Sequence, residues 1–285
     1  MTHSKIRLGM HSSLWTASWT REAAETLIPE AAKYGLDVIE IALLTPERID
    51  VDHSMKLFKQ HGVAPSGSLC LAMEDNAALY PQRAEKFLLR ALDTAHALGC
   101  DFLGGVTYST LGWRSGKAPT EAELANIAKA LKPVARRAAE YRMVLGIEPC
   151  NRYETHLLNT AKQSLAMIER IGEPNVTVHL DTYHMNIEEK GIGNGIVEAG
   201  RHCRYIHMSE SDRGVPGTGT IDWDDCFAAL KKSGFAGDLV IESFVELPPE
   251  IAAALSVWRA VAKDRFEVLD KGLPFLRQKM KQHGL

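Results

Sequence analysis

Four short apolar runs in the second half of the chain end in a residue able to ligate a metal or carry a proton. VLGIE ends in Glu148, VTVHLD in Asp181, RYIH in His207 and DLVIE in Glu242. With 36 Asp and Glu and 11 His among 285 residues, four consecutive run ends drawn from that set favour design over chance. Like charges held close raise each other's pKa, so three carboxylates at one place call for a cation. Three carboxylates and one imidazole, with no thiolate, suit Mn2+, Mg2+ or Co2+ better than a structural zinc site. The plain alternative is that each is a solvated residue at a loop start, satisfied by water or by helix caps.

Further polar residues follow directly. Asn151, Arg152 and Glu154 come after Glu148, His184 after Asp181, and Arg213 after His207. Together they could hydrogen-bond a polyhydroxylated ligand beside a metal. Trp15, Trp19, Trp113 and Phe244 fall in or near the same region and could cover a ligand's apolar flank; singly, each Trp reads more readily as core packing.

Converging these residues requires elements that place run ends together. The β-branched runs are Ile6–Met10, Val38–Leu43, Val63–Leu71, Phe102–Tyr108, Val144–Glu148, Val176–Asp181, Tyr205–Ser209 and Leu239–Phe244. They recur at the length of one βα unit. Between them, Phe87, Leu88, Ala91, Leu92, Ala95 and Leu98 keep one helical face apolar, and Gly99 supplies a stop. Thr120 with Glu123 and Thr160 with Gln163 have the spacing of capping boxes, the second opening a helix that runs to Gly172. Eight such units without a Pro/Gly/Ser-rich linker predict a single (β/α)8 barrel domain over residues 1–285, whose active sites sit at the C-terminal strand ends. The rival, a doubly wound open sheet, normally shows a glycine-rich phosphate loop after its first strand, and Met10–Trp15 has none. Gly191, Gly193 and Gly195 read as loop or helix-entry glycines.

Composition narrows the partners. A net charge of −3 gives no footprint for nucleic acid or for an anionic membrane. No run approaches the length of a membrane span, and Met1–Arg7 lacks the apolar core of a signal peptide. The five scattered cysteines, with no Cys-x-x-Cys pair, read as reduced thiols of a cytoplasmic protein.

The segments EPCNRYE (Glu148–Glu154), LDTYHMNIEE (Leu180–Glu189), IHMSESDRG (Ile206–Gly214) and the late VWR (Val257–Arg259) resemble the D-tagatose 3-epimerase family. That family includes D-allulose (D-psicose) and L-ribulose 3-epimerases within the xylose-isomerase-like barrel superfamily. The resemblance extends over the whole chain from GMHSSLW (Gly9–Trp15) onward, and the DTYHMN segment is its most specific part. It implies that Glu148, Asp181, His207 and Glu242 bind one divalent metal, usually Mn2+ with Co2+ or Mg2+ as alternatives. It implies that Glu148 and Glu242 are the acid–base pair, and that Glu154, His184 and Arg213 hold the O1–O3 end of a ketose. His11 and Ser68, where relatives carry an aromatic residue or a Cys, would line the pocket for the far end of the sugar, with Trp113 and Trp19 among the substrate contacts. A homodimer or homotetramer is implied as well.

Two glutamates flanking a ketose would remove a proton beside the C2 carbonyl and return one on the opposite face, with a metal as Lewis acid. An aldose–ketose isomerase could use the same metal and move the proton between C1 and C2. A glycosidase pair needs no metal. A metal-dependent nuclease would need more His ligands and a basic face. A non-catalytic sugar-binding barrel would have no use for paired glutamates on a metal.

Overall fold

The computed structural model describes residues 5–16, 18–245, 252–253 and 255–285. The first four residues of the polar N-terminal stretch lie outside them. Eight strands form: β1 (Arg7–His11), β2 (Val38–Ala42), β3 (Ala64–Cys70), β4 (Phe102–Val106), β5 (Val144–Ile147), β6 (Val176–Asp181), β7 (Cys203–His207) and β8 (Asp238–Ile241). They pair in chain order, all parallel, and β8 closes on β1. The fold is the expected (β/α)8 barrel. Every expected run overlaps its strand, but β1 runs on past its run to His11, β7 and β8 begin before theirs at Cys203 and Asp238, and several runs continue past their strands. The run ending at Phe244 stops being strand at Ile241, and the run ending at Tyr108 stops at Val106. There the chain turns at Gly105, φ +87°, where a Cβ would meet the Leu69 carbonyl at 2.5 Å, so the position needs glycine.

The principal helices are α1 (Arg21–Lys33), α2 (Val51–His61), α3 (Pro81–Ala97), α4 (Glu121–Glu140), α5 (Ala161–Ile171), α6 (Thr182–Glu188), α7 (Ile192–Ala199), α8 (Trp223–Ser233) and α9 (Leu273–His283). Both capping boxes are present: Thr120 opens α4 and Thr160 opens α5. Each satisfies backbone N–H groups that the first helical turn leaves without partners. Leu88, Ala91, Leu92 and Ala95 of α3 are buried as their spacing predicts. Gly191 immediately precedes α7, whereas Gly193 and Gly195 lie inside it.

The barrel interior changes from apolar to polar toward the C-terminal strand ends. Val38, Phe102, Tyr205 and Val240 form one buried cluster, with Phe102 stacked on Tyr205 at 4.1 Å. Above them, β1 and β2 register His11 opposite Glu40, and β6 and β7 register Asp181 opposite His207. A register shift at Val178/His179 sets the second pairing, placing His179 opposite Tyr205. Because strand side chains alternate, His179 and Asp181 of β6 share a face, as do Tyr205 and His207 of β7.

Candidate active site

Glu148 and Glu242 follow β5 and β8 by one residue, while Asp181 and His207 end β6 and β7. The structure brings all four together. His207 Nδ1 lies 3.4 Å from Glu148 Oε1, 3.7 Å from Asp181 Oδ2 and 3.6 Å from Glu242 Oε1. Donors sharing an ion at about 2.1 Å stand on the order of 3 Å apart. His207 Nδ1 is buried and accepts or donates no hydrogen bond, a costly state for an imidazole nitrogen with no other use. Asp181, His207 and Glu242 can together hold a metal ion, as can the overlapping set Glu148, His179 and His207. An orphaned nitrogen among three carboxylates fits a divalent cation.

Asp181 has two duties. Its Oδ1 caps α6, accepting the backbone N–H groups of Tyr183 at 2.6 Å and His184 at 3.4 Å. Its Oδ2 faces the cluster and accepts from Ser209 Oγ at 3.1 Å and Arg213 Nη1 at 2.8 Å. Arg213 Nη1 also donates to Glu242 Oε2 at 2.5 Å. The guanidinium lies over the Tyr183 ring at 4.1 Å and the Phe244 ring at 5.0 Å. Arg213 adopts φ +66°, unusual for a non-glycine residue. The loop holds it there, because its carbonyl accepts from Ser243 Oγ at 2.7 Å and Phe244 N at 3.1 Å.

A second group abuts this one. Asn151 donates its backbone N–H to His184 Nδ1 at 3.2 Å and its side-chain amide to Glu154 Oε1 at 2.9 Å. Arg213 Nη2, also a donor, stands 3.2 Å from His184 Nε2, so donors face both ring nitrogens. Arg152 lies outside the site, exposed and paired bidentately with Glu188.

Charge in the cluster is finely divided. Burial opposes ionisation of Glu148, but His179 and His207 outweigh it and hold the carboxyl below its ordinary range. Burial likewise opposes Asp181, where Arg213 and His184 prevail and the pKa falls well below normal. At Glu242 burial wins, with Asp181 and Glu148 adding to it against His207 and Arg213, and the pKa is pushed up to about 8. Burial also disfavours charge on His207, but Glu242, Glu40 and Glu148 raise its pKa well above normal. Burial lowers His11 and His179 to about 4 each.

Beside the cluster opens a cavity of about 320 Å3 bordered by His11, Ser68, Glu148, His207, Glu242 and Phe244. His11 Nε2 is 3.2 Å from Ser68 Oγ. Trp113 does not border this cavity. It adjoins the Glu154 loop, where Gly112 donates to the Glu154 carbonyl at 2.8 Å and the Trp113 ring meets His156 edge-on at 4.9 Å. The expectation for Trp19 is corrected. Its indole is buried, stacks on Phe58 at 5.9 Å and donates to Ser54 Oγ at 3.0 Å. Those contacts tie it to α2, and it does not border the cavity. Trp15, half-buried against the core, does not border the cavity either.

Sequence reasoning missed Glu40 and His179, both fully buried inside the barrel. Glu40 interrupts VIEIA and His179 interrupts VTVHL. A charged or ionisable residue inside an otherwise apolar strand was the available signal.

A family model described as xylose isomerase-like TIM barrel matches residues 28–279. The chain belongs to this family. Among similar members, the L-ribulose 3-epimerase of Methylomonas sp. (strain DH-1) is 37% identical over 281 residues, spanning 96% of this chain and 98% of that one. The ketose 3-epimerase of Arthrobacter globiformis is 35% identical, spanning 96% and 97%. The crystal structure of D-allulose 3-epimerase from Methylomonas sp. in complex with D-allulose superposes with a TM-score of 0.92 at 35% identity, covering 98% of this chain and 99% of that one. Within the xylose isomerase-like barrels, these full-length relatives are ketose 3-epimerases.

Proposed function

We propose that this protein is a divalent-metal-dependent ketose 3-epimerase, an isomerase that interconverts free ketohexoses or ketopentoses at C3. The observation that carries the reading is the pair Glu148 and Glu242. They come from non-neighbouring strands β5 and β8, border one cavity, and flank a buried His207 nitrogen that no hydrogen bond uses.

Epimerisation at C3 takes a proton from one face of the sugar and returns one to the other. Two carboxyls on opposite sides of the cavity meet that need, Glu148 to take the proton and Glu242 to return one. The reverse reaction exchanges their roles. Glu148, Asp181, His207 and Glu242 would hold a divalent cation, Mn2+ in our reading with Co2+ or Mg2+ as alternatives, which supplies Lewis-acid polarisation of the C2 carbonyl. His184, its Nε2 3.9 Å from Glu148 Oε1 and 3.2 Å from Arg213 Nη2, stands as a contact to sugar oxygens. Arg213 and Glu154 complete the contacts to the O1–O3 end, with Trp113 beside the Glu154 loop. His11 and Ser68 bound the space for the far end of the sugar.

In the same reading, residues 1–285 form one barrel domain, since strands and helices run from Arg7 to His283 around a single closed sheet. The chains assemble as a homodimer or homotetramer. The protein works in the cytoplasm, with which its five free cysteines are consistent. No described helix is long and apolar enough to cross a membrane.

The test is direct. Protein loaded with Mn2+ is incubated with D-fructose, D-tagatose or L-ribulose and the sugars are separated. The reading expects D-allulose, D-sorbose or L-xylulose; aldose products, or no conversion of any ketose, would overturn it.

A further inference from the structure

Glu40 takes no part in the reaction as derived above, yet it lies at the centre of the polar interior. It ends no strand and touches no solvent. Its Oε2 stands 2.8 Å and its Oε1 3.1 Å from His207 Nε2. Oε1 is also 3.7 Å from His11 Nε2. A carboxylate accepts and never donates when ionised, so the proton on this edge of His207 must sit on Nε2. The opposite nitrogen, Nδ1, is then the one that offers its lone pair toward Glu148, Asp181 and Glu242 when the ring is neutral.

His11 is oriented by the same logic. Ser13 N donates to His11 Nδ1 at 3.0 Å, which leaves the neutral ring's proton on Nε2, the nitrogen facing Ser68 and Glu40. Two imidazoles thus turn their N–H edges toward one buried carboxylate, one from the cluster and one from the cavity wall. The β1–β2 register, His11 opposite Glu40, makes the arrangement part of the sheet itself.

We propose that Glu40 is a positioning residue. It fixes the tautomer and ring orientation of His207 so that Nδ1 serves as a metal donor, and it ties that donor to His11 in the wall of the sugar cavity. The proposal rests on the metal-site reading above. An outer carboxylate behind a metal-binding histidine characteristically contributes 10- to 100-fold in metal affinity.

The experiment compares the wild-type protein with Glu40→Gln and Glu40→Ala. Mn2+ affinity is titrated by the EPR signal of the free ion, and circular dichroism of each metal-free protein checks its fold. We expect affinity to fall in the order Glu, Gln, Ala, with Ala weaker by about 10- to 100-fold. Gln retains one acceptor for His207 but presents no charge to the two imidazoles, so it falls between. Should Ala fail to fold, Gln still decides, because a residue that merely fills space would leave Gln equal to wild type.

A second readout is independent of affinity. In 15N-histidine NMR spectra of protein loaded with diamagnetic Zn2+, His207 should carry its proton on Nε2. A proton on Nδ1, or a folded Glu40→Ala protein that binds Mn2+ as tightly as wild type, overturns the proposal. Failure of the wild-type protein to bind either ion would instead remove the metal site on which the proposal stands, so the two failures are told apart.

Discussion

Asp181 caps the helix that carries His184: its Oδ1 accepts the His184 backbone N–H at 3.4 Å while its Oδ2 faces Arg213 at 2.8 Å. A candidate ligand and a candidate sugar contact are thereby built as one unit, since whatever moves the carboxylate also moves the first turn of α6.

Substituting this residue separates the two duties. Asp181→Asn keeps a good helix cap and loses the ligand charge, whereas Asp181→Ala loses both. Both variants should lose metal, and Ala should be less stable than Asn by about 0.5–2 kcal/mol. Thermal unfolding beside elemental analysis checks this; equal stabilities would detach the cap from the site.

Exhaustive chelation should abolish turnover, and Mn2+ or Co2+ should restore it. Metal should also raise the unfolding temperature, because an ion that binds only the folded chain stabilises it by mass action. Full activity in protein shown by elemental analysis to be metal-free would refute the dependence.

Loading the site should release protons. In the metal-free protein Glu242 holds its proton up to about pH 8, against about 4.3 for a solvated glutamate. Between those values the unfolded chain has released a proton that the folded chain keeps. This contribution to stability is therefore full below about pH 4 and is lost as pH rises through about 8. A cation displaces that proton and the one on His207, so about two protons should leave per ion at pH 7. Calorimetry in buffers of differing ionisation enthalpy measures the number, and affinity should rise from pH 6 to 8. Heats independent of buffer would contradict the charge assignment.

His184→Ala should retain metal but lower kcat/KM by roughly ten- to a hundredfold, the loss of about 1.5–3 kcal/mol expected for a charge-assisted hydrogen bond. Arg213→Ala should lower it at least as much. It should also destabilise the fold, because Asp181 and Glu242 lose the buried cation they share. Steady-state kinetics with metal content measured alongside tests both, and wild-type kinetics would place these residues outside the reaction.

In heavy water, newly formed product should carry solvent deuterium at C3, because the carboxyl that delivers the proton differs from the one that removed it. Remaining substrate should hold protium early in the reaction. NMR of the sugars locates the label: deuterium at C1 would indicate an aldose–ketose isomerase, and transfer without any wash-in would leave the two-glutamate route unsupported.

The sequence by itself determined the period of the barrel, the helix caps and the four strand ends that converge. Each is a local signal. Thr120 reaches Glu123 within one turn of helix, and Glu148, Asp181, His207 and Glu242 are recognisable because a polar residue closes an apolar run. Side-chain direction at the mouth was not legible in the same way. Trp19 sits two residues before α1, and only the packing of α1 on α2 decides that its indole turns to Phe58 and Ser54. Tertiary structure alone also decided the pairing of Glu40 with His207, residues 167 positions apart. Neither residue carries a sequence mark of the other. Their contact exists because closing eight strands brings the inward faces of β2 and β7 across a narrow interior, where a buried carboxylate must find a donor and an imidazole must choose which nitrogen holds its proton.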